Sequence, residues 1–420
     1  MRARIDRLLT RVKIRRRPPS LPVVFRAEER QRWEQAILNG LAFTKIVVLD
    51  DVQDIAEVSV NQSGKRSLLM LIPPPERGSG GRMTMARILL NLSASGIRCY
   101  VAFYPEVPDH AFDECERAWM DEFRFTPDQC SVVKLEEARK HLYDIAIATF
   151  WPSAYVVRRE IRARSKGYLV QDFEPYFYPP GSNYAFAEES YRLGLWGICA
   201  SPWLARKLSD EYGMRTAGFE LGIEKHEYHL MPGVARDRRL VIAYVRQHTE
   251  RRGYELVMWA LKKIKDEMPD IRIEIFGDGR LPPGEFLWID KNHGILDHDQ
   301  LCRLYNEASI GIVTSFTNYS LIPNEMIACG CAVIDLDTDC ARSVFPEGTI
   351  HLAPATPLGI ARAVRTLATN QAALDRQVAN GLAYIENVSW SHSLTEINAA
   401  IMRFSGVARD SSADWFRMRL

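Results

Sequence analysis

A group of arginines follows one apolar run of this sequence and has the charge needed to bind phosphate. The segment Arg246–Gly253 (RQHTERRG) comes directly after Leu240–Val245, whose unbroken apolar character predicts a buried strand. Arg246 and Arg251 are the candidate ligands, because a guanidinium stays charged and binds two phosphate oxygens at once. The alternative is a solvated turn in which Glu250 pairs with an arginine. The position at the end of a strand favours a diphosphate site.

A second candidate site lies where a loop leads into a short helix. Residues 316–333 read FTNYSLIPNEMIACGCAV, and a helix is predicted over Leu321–Cys329, with Gly330 ending it before a buried strand. The hydroxyl of Ser320 can cap this helix, and the helix N-terminus can hold a phosphate. Glu325 can accept hydrogen bonds from ribose hydroxyls. The alternative is an ordinary amphipathic helix.

A glycine-rich turn forms a third candidate site. Pro73–Gly81 (PPPERGSGG) separates a predicted strand from a predicted helix. Gly80 and Gly81 permit positive φ and a close backbone approach, and the free N–H groups of the following helix form an anion site. The segment matches neither a Walker loop nor GxGxxG, so a flexible turn is the alternative.

Two further patterns resemble ligand sites. Asp335, Asp337 and Asp339 form two overlapping DxD motifs, but they lie at the end of the predicted strand Ala332–Leu336 and directly after it rather than open a site, so we predict that they bind no metal. The run Gly277-Asp278-Gly279 either lines a nucleotide pocket or forms a tight turn.

Strands and helices alternate in two parts of the chain, which predicts parallel sheets covered by helices on both faces. In the first part the predicted strands are Ser67–Ile72, Arg98–Tyr104, Ile145–Phe150, Tyr168–Gln171 and Trp196–Ser201, and the predicted helices are Met83–Ser95, Ala154–Arg164 and one that begins at Pro202. In the second part the strands are Leu240–Val245, Ile271–Phe276, Ile310–Thr314 and Ala332–Leu336, and the helices are Tyr254–Met268, His298–Ala308 and Leu321–Cys329.

This organisation predicts an α/β protein with two Rossmann-like domains that face a central cleft. Ligands of such sheets bind beyond the carboxyl ends of the strands, so the candidate sites should meet in that cleft. The predicted segments are a basic N-terminal segment (1–22), an N-terminal domain (23–224), a polar linker (225–238), a C-terminal domain (239–395) and a C-terminal helix that packs back on the first domain (396–420).

The first residues of the chain have a composition of their own. Arginines and lysine dominate residues 1–22, and Ile5, Leu8, Leu9 and Val12 fall at helical spacing. We predict that residues 1–19 lie as a helix on an anionic inner-membrane surface. A disordered basic tail, or a helix packed on its own domain, is the alternative.

Composition narrows the class of protein. The 420 residues carry a net charge of +1, which argues against nucleic-acid binding through bulk charge. The eight cysteines form no CxxC pair, and most lie in apolar runs, as expected for free thiols in a reducing compartment. No apolar run is long enough to span a membrane, and no signal-peptide pattern is present. We therefore expect a cytoplasmic location, with peripheral contact to the cytoplasmic face of the membrane.

The motifs together resemble the GT-B glycosyltransferases, and among them the retaining family 4 type. Glu325–Gly330 (EMIACG) resembles the end of that family's donor helix, and Arg246 and Arg251 fall at its Arg and Lys positions. The first glutamate of its paired-glutamate motif would fall at Thr317, where this chain departs from the pattern. A closer resemblance is to the WsaF-type rhamnosyltransferases, through Gln171–Ser182 (QDFEPYFYPPGS).

The resemblance implies transfer of a sugar, rhamnose from dTDP-rhamnose, to a cell-surface polysaccharide or lipid-linked glycan, without metal or other cofactor. Arg246, Arg251 and Glu325 would be the catalytic residues. Asp172 and Glu174 would contact the acceptor. The residues implied for the nucleotide-sugar donor site are Gly80, Gly81, Arg246, Arg251, Thr317, Asn318, Tyr319, Ser320 and Glu325. A decayed binding or scaffold protein, and a nucleotide-sugar epimerase of the same fold, are the alternatives.

Overall fold

A computed structural model of the chain describes residues 66–74, 80–278 and 286–406, all within one compact unit, Val52–Leu420. The predicted basic segment 1–22 lies outside the described residues. So do residues 75–79 of the glycine-rich turn, Gly279, and residues 407–420 of the predicted C-terminal helix.

The first sheet has seven parallel strands in the order β3-β2-β1-β4-β5-β6-β7. Its central strand β1 is buried from its second residue to its last, because the run SLLMLI is apolar on both faces. Its strands are β1 Ser67–Ile72, β2 Arg98–Phe103, β3 Cys130–Val132, β4 Leu142–Ala148, β5 Arg162–Val170, β6 Trp196–Cys199 and β7 Thr216–Gly218.

The second sheet has six parallel strands in the order β10-β9-β8-β11-β12-β13. Both sheets reverse their winding direction once, between β1 and β4 and between β8 and β11, which is the doubly wound pattern. The prediction of two Rossmann-like units is confirmed. The strands of this sheet are β8 Asp237–Tyr244, β9 Arg272–Phe276, β10 Lys291–Asn292, β11 Ala308–Ile312, β12 Ala332–Leu336 and β13 His351–Ala353.

Helices connect the strands and cover both sheets. Those of the first sheet are α1 Gly80–Ala94, α2 Asp109–Phe123, α3 Leu135–Lys140, α4 Trp151–Arg159, α5 Ser182–Glu189 and α6 Pro202–Tyr212. Those that follow are α7 Tyr254–Glu267, α8 His298–Glu307, α9 Ile322–Ala328, α10 Asp339–Val344, α11 Pro357–Thr369, α12 Gln371–Ile385 and α13 Trp390–Phe404. Short 3₁₀ turns are formed by Glu174–Phe177, Ser190–Arg192 and Glu250–Arg252. None of the helices in the described ranges has both the length and the apolar character to cross a lipid bilayer.

One helix prediction is wrong in its second half. We predict a helix over Ala154–Arg164, whereas α4 ends at Arg159 and β5 begins at Arg162. The polar start of β5 hides its strand character in the sequence. There Arg162 pairs in register with Leu142, and Arg164 donates a 2.9 Å hydrogen bond to Asp144.

The two halves of the chain are tied by the linker and by the last described helix. Arg236 of the linker donates to the carbonyl oxygens of Cys329 (2.6 Å) and Tyr305 (3.2 Å). Helix α13 packs on α1 and β6 of the first domain, where Phe404 lies 5.8 Å from Trp196 between ring centroids. The last described helix of the chain therefore returns to the first domain.

Candidate active site

The loops that follow β8 and β11 meet at the point where the second sheet reverses its winding direction. The Thr314 hydroxyl donates a 2.5 Å hydrogen bond to the carbonyl oxygen of Arg252. The N–H of Phe316 donates to the carbonyl oxygen of Arg251 at 3.1 Å. These bonds fix the arginine loop against the loop that leads to α9, at the edge where parallel sheets bind ligands.

Arg251 lies between the two domains. Its guanidinium stands 4.7 Å from the ring centroid of Phe177, a cation–π contact. Its Nε lies 3.5 Å from Oδ2 of Asp172. Both partners belong to the segment Gln171–Ser182 of the first domain. The sequence motif and the arginine loop, more than 60 residues apart in the chain, therefore meet at one point of the cleft.

Asp172 is held from two sides. Its Oδ1 accepts a 2.5 Å hydrogen bond from the Thr317 hydroxyl, and its Oδ2 faces Arg251. Burial raises the pKa of Asp172, while the charge of Arg251 and the bond from Thr317 lower it. The predicted acceptor-contacting aspartate thus contacts the second domain in this structure.

The loop residues beside Thr317 also reach the first domain. Asn318 donates to the carbonyl oxygens of Gln171 (2.8 Å) and Ala200 (2.6 Å), and the hydroxyl of Tyr319 accepts a 2.5 Å bond from the N–H of Leu221. The side chains are nearly inaccessible: Thr317 is 2%, Asn318 3% and Tyr319 5% exposed. The sequence predicts donor contacts for these three residues, whereas the structure directs their polar atoms to the first domain.

Glu325 occupies the first turn of α9 and is half-buried. The Tyr305 hydroxyl donates to its Oε2 over a long 3.5 Å. Burial raises the pKa of Glu325 to about 7, Tyr305 lowers it, and Glu227 of the linker raises it. The carboxylate therefore stands beside the linker.

The other residues predicted at the start of α9 and after β8 lie in different surroundings. Arg246 is half-buried two residues beyond the end of β8. The prediction that Ser320 caps α9 is wrong. Leu321 occupies the N-cap without a side-chain bond, and the Ser320 hydroxyl is buried with no hydrogen-bond partner in the described part of the chain. The helix begins without a side-chain cap, and Pro323 lies in its first turn.

Gly80 and Gly81 form the first turn of α1, close to the motif segment. A Cβ added to Gly81 would come within 3.1 Å of the side-chain amide of Gln171, so this position favours glycine by close approach. Glu174 faces inward: it is 4% exposed, and its two oxygens accept bonds from the N–H of Trp151 (2.6 Å) and the hydroxyl of Tyr168 (2.9 Å). The carboxylate predicted to contact the acceptor is therefore engaged inside the first domain.

Two aspartates of the DxD patterns are likewise engaged. Asp335 is 2% exposed, and its Oδ1 accepts a 2.7 Å bond from the N–H of Leu336. Asp337 pairs with Arg342 at 2.6 Å. Across residues 66–74, 80–278 and 286–406, no group of three or more His, Cys, Asp or Glu is arranged to hold a metal ion.

Two contributors to this site were not assigned from the sequence. Phe177 lies within the motif, but no sequence pattern assigns it a role, and none connects Gln171 with the glycine-rich turn. A signal for Phe177 exists in hindsight: it is one of several aromatic residues in the segment that follows β5, where the polypeptide enters the cleft.

Comparison with known proteins agrees with this architecture. Residues 246–399 match the family model described as "Glycosyl transferase-like". The matched region begins at Arg246 and contains Arg251 and Glu325.

The chain is similar to the O-antigen biosynthesis protein RfbC of Myxococcus xanthus, at 31% identity over 264 residues, 62% of this chain and 21% of that protein. It is also similar to the phosphatidyl-myo-inositol mannosyltransferase of Mycobacterium tuberculosis, at 24% identity over 180 residues, 40% of this chain and 48% of that enzyme. The chain thus spans about a fifth of the first relative and about half of the second.

Among solved structures, Anabaena HepE in complex with UDP-glucose superimposes with a TM-score of 0.59 at 15% identity, over 80% of this chain and 98% of that one. This chain has the GT-B fold. Within that GT-B fold, the first sheet forms the N-terminal domain, and the glycosyl transferase-like region forms nearly all of the C-terminal domain.

Proposed function

We propose that the protein is a glycosyltransferase that moves a sugar from a nucleotide-sugar donor to a cell-surface glycan, free or lipid-linked. The observation that carries this proposal is the placement of Arg246 and Arg251 in the loop after β8, at the winding reversal of a GT-B C-terminal domain, inside the glycosyl transferase-like region. The similarity to an O-antigen biosynthesis protein supports the acceptor class.

The proposed chemistry requires one bond to form and one to break. An acceptor hydroxyl oxygen bonds to the anomeric carbon as the bond from that carbon to the donor's diphosphate oxygen breaks. The hydroxyl proton passes to the leaving diphosphate. Arg246 and Arg251 stabilise the negative charge that grows on the diphosphate, which is electrostatic catalysis. Glu325 holds the ribose.

The finer assignments rest on the sequence resemblance. We propose rhamnose from dTDP-rhamnose as the transferred sugar, because of the segment Gln171–Ser182. We also propose retention of configuration, with attack from the face that the diphosphate leaves. The proposed location is the cytoplasm, with the N-terminal segment at the membrane surface. No cofactor is part of the proposal.

A donor panel tests the proposal. The purified chain is mixed with dTDP-rhamnose, UDP-glucose or GDP-mannose, and its unfolding temperature and donor hydrolysis are measured. A donor at about 100 times its Kd should stabilise the fold by about 2.7 kcal/mol. We expect one donor to raise the unfolding temperature and to be hydrolysed slowly in the absence of acceptor. If no donor is bound or hydrolysed, a non-catalytic binding protein becomes the better interpretation.

A further inference from the structure

Arg251 belongs to the C-terminal domain, yet the side chains that surround its guanidinium come from the N-terminal domain. We propose that Asp172 and Phe177 are positioning residues, which hold the guanidinium of Arg251 in the orientation that binds the donor's diphosphate. This inference rests on the proposed function and adds residues that act through Arg251. Because Asp172 and Phe177 belong to the other domain, the proposed phosphate site is complete only when the two domains are in contact.

The contacts of Arg251 leave one edge of its guanidinium available. Asp172 lies on the Nε side at 3.5 Å, and Phe177 covers one face at 4.7 Å from the ring centroid. The terminal nitrogens donate no hydrogen bond to any residue in the described ranges, and the side chain is 31% exposed. A planar guanidinium with an ion-pair partner on its Nε side and an aromatic ring on one face presents its terminal N–H groups in a single direction.

Asp172 is itself fixed by its surroundings. Besides the bond from Thr317, its carbonyl oxygen accepts a 3.3 Å bond from the hydroxyl of Tyr191. That same hydroxyl accepts a 3.0 Å bond from the N–H of Glu174. Tyr191 is 1% exposed. A carboxylate supported in this way orients its partner better than one on a mobile side chain, because little freedom remains to be lost on binding.

Phe177 completes the orientation from the other side. Residues Glu174–Phe177 form a 3₁₀ turn that begins directly after Phe173, which is 1% exposed. The ring of Phe177 is therefore carried by a rigid turn rather than by a free loop. The guanidinium of Arg251 is attracted to the face of this ring, which favours the observed orientation over others.

Binding of the diphosphate product tests the proposal without knowledge of the acceptor. Affinity for dTDP, with UDP in parallel, is measured by calorimetry for wild type, Asp172→Asn, Arg251→Ala and the double variant. We expect Arg251→Ala to lower the affinity about 10- to 100-fold. Asp172→Asn should lower it roughly threefold to tenfold, and the double variant should bind no worse than Arg251→Ala.

A second variant and a second ligand separate positioning from a general structural role. Phe177→Leu should also lower dTDP affinity, again without effect in the Arg251→Ala background. Affinity for dTMP should fall less than affinity for dTDP in both variants, because the proposed partner of Arg251 is the diphosphate. Asp144→Asn is the matched control: Asp144 also pairs with an arginine, Arg164 at 2.9 Å, but at the opposite end of the sheet. It should leave both affinities unchanged.

The outcomes are distinct. If Asp172→Asn binds dTDP as wild type does, or more tightly, Asp172 does not position Arg251. If the losses of Asp172→Asn and Arg251→Ala add in the double variant, Asp172 acts independently, for example on the acceptor, and the inference is wrong while the proposed function stands. If wild type binds neither dTDP nor UDP and neither binds nor hydrolyses any donor of the panel, the proposed function fails and the inference fails with it.

Discussion

The hydroxyl of Thr317 donates a 2.5 Å hydrogen bond to Oδ1 of Asp172 and so links the C-terminal domain directly to the N-terminal domain. Thr317 is 2% exposed. The bond is followed along the same loop by those of Asn318 and Tyr319, so one short loop supplies consecutive polar contacts between the domains. The side chains of this loop therefore hold the two domains together beside the arginines.

Asn318→Ala tests the strength of that contact point. The substitution leaves the carbonyl oxygens of Gln171 and Ala200 buried without their donor, which should lower the free energy of unfolding by about 1–3 kcal/mol. Chemical denaturation measures the change. Asn380→Ala is the control, because that amide makes one exposed 3.4 Å bond to Gly348 and should change little. Equal stability of the two variants would show that Asn318 does not secure the domains.

Glu174→Gln should change how stability depends on pH. Burial raises the pKa of Glu174 to about 8, from an ordinary value of 4.5, against smaller opposing effects of the Trp151 N–H and the Tyr168 hydroxyl. The folded protein therefore keeps a proton that the unfolded chain loses above pH 4.5. The contribution of Glu174 to the free energy of unfolding is therefore fully present below pH 4.5. It is lost as the pH rises through 8.

The measurement is the free energy of unfolding of wild type and Glu174→Gln at several pH values between 5 and 8.5. Glutamine cannot ionise, so the variant should lose less stability than wild type as the pH rises. Glu325 and Asp335, whose pKa values burial raises to about 7, remain in both proteins, and their contribution cancels in the comparison. Parallel curves would mean that Glu174 is ionised in the folded state at neutral pH.

Buried strands were predictable because their apolar runs need no tertiary information. The bounds predicted for Ser67–Ile72 and Ala332–Leu336 are those of β1 and β12. The start of β5 was not predictable, because Arg162–Arg164 form no apolar run and Arg164 pairs instead with Asp144.

Only part of the candidate site could be predicted from the sequence: the residues whose chemistry suits a diphosphate and that directly follow a predicted strand. The position of Arg251 at the carboxyl edge follows from the strand that precedes it. Its partners Asp172 and Phe177 depend on how the two domains dock, which no local pattern encodes. The inward orientation of Glu174 depends instead on packing within the first domain, since its donors Trp151 and Tyr168 belong to α4 and β5.

The basic N-terminal segment remains a prediction, since residues 1–19 lie outside the described part of the chain. Deleting them should weaken binding to vesicles that contain anionic lipid, because each basic residue near such a surface contributes about 1 kcal/mol. Vesicle co-sedimentation measures this binding. Nucleotide binding should be unchanged in the truncated protein. Equal sedimentation of the full and truncated chains would favour a tail without a membrane role.

Activity should survive treatment with EDTA. The proposed charge stabilisation comes from Arg246 and Arg251, which need no cation to act on a diphosphate. The measurement is donor turnover before and after chelation, then after addition of Mg²⁺ or Mn²⁺. Turnover that is lost with EDTA and restored by either cation would contradict the prediction and would direct attention to Asp335 and Asp337.

Kinetics of single variants should separate the roles of the donor-site residues. A guanidinium on the diphosphate interacts more strongly as negative charge grows in the transition state, so Arg246→Ala and Arg251→Ala should each lower kcat, by roughly 10²–10³. A contact to the ribose is equal in ground and transition states, so Glu325→Ala should mainly raise the KM for the donor.

If the donor is a dTDP-sugar, only the 3′-hydroxyl is available to Glu325, and discrimination against UDP-sugars must arise in the base pocket. Arg239→Ala, an exposed arginine of the same domain, is the control and should leave both constants unchanged. Near wild-type turnover in both arginine variants would remove the diphosphate from the loop after β8, and with it the proposed role of the contact between Arg251 and Asp172.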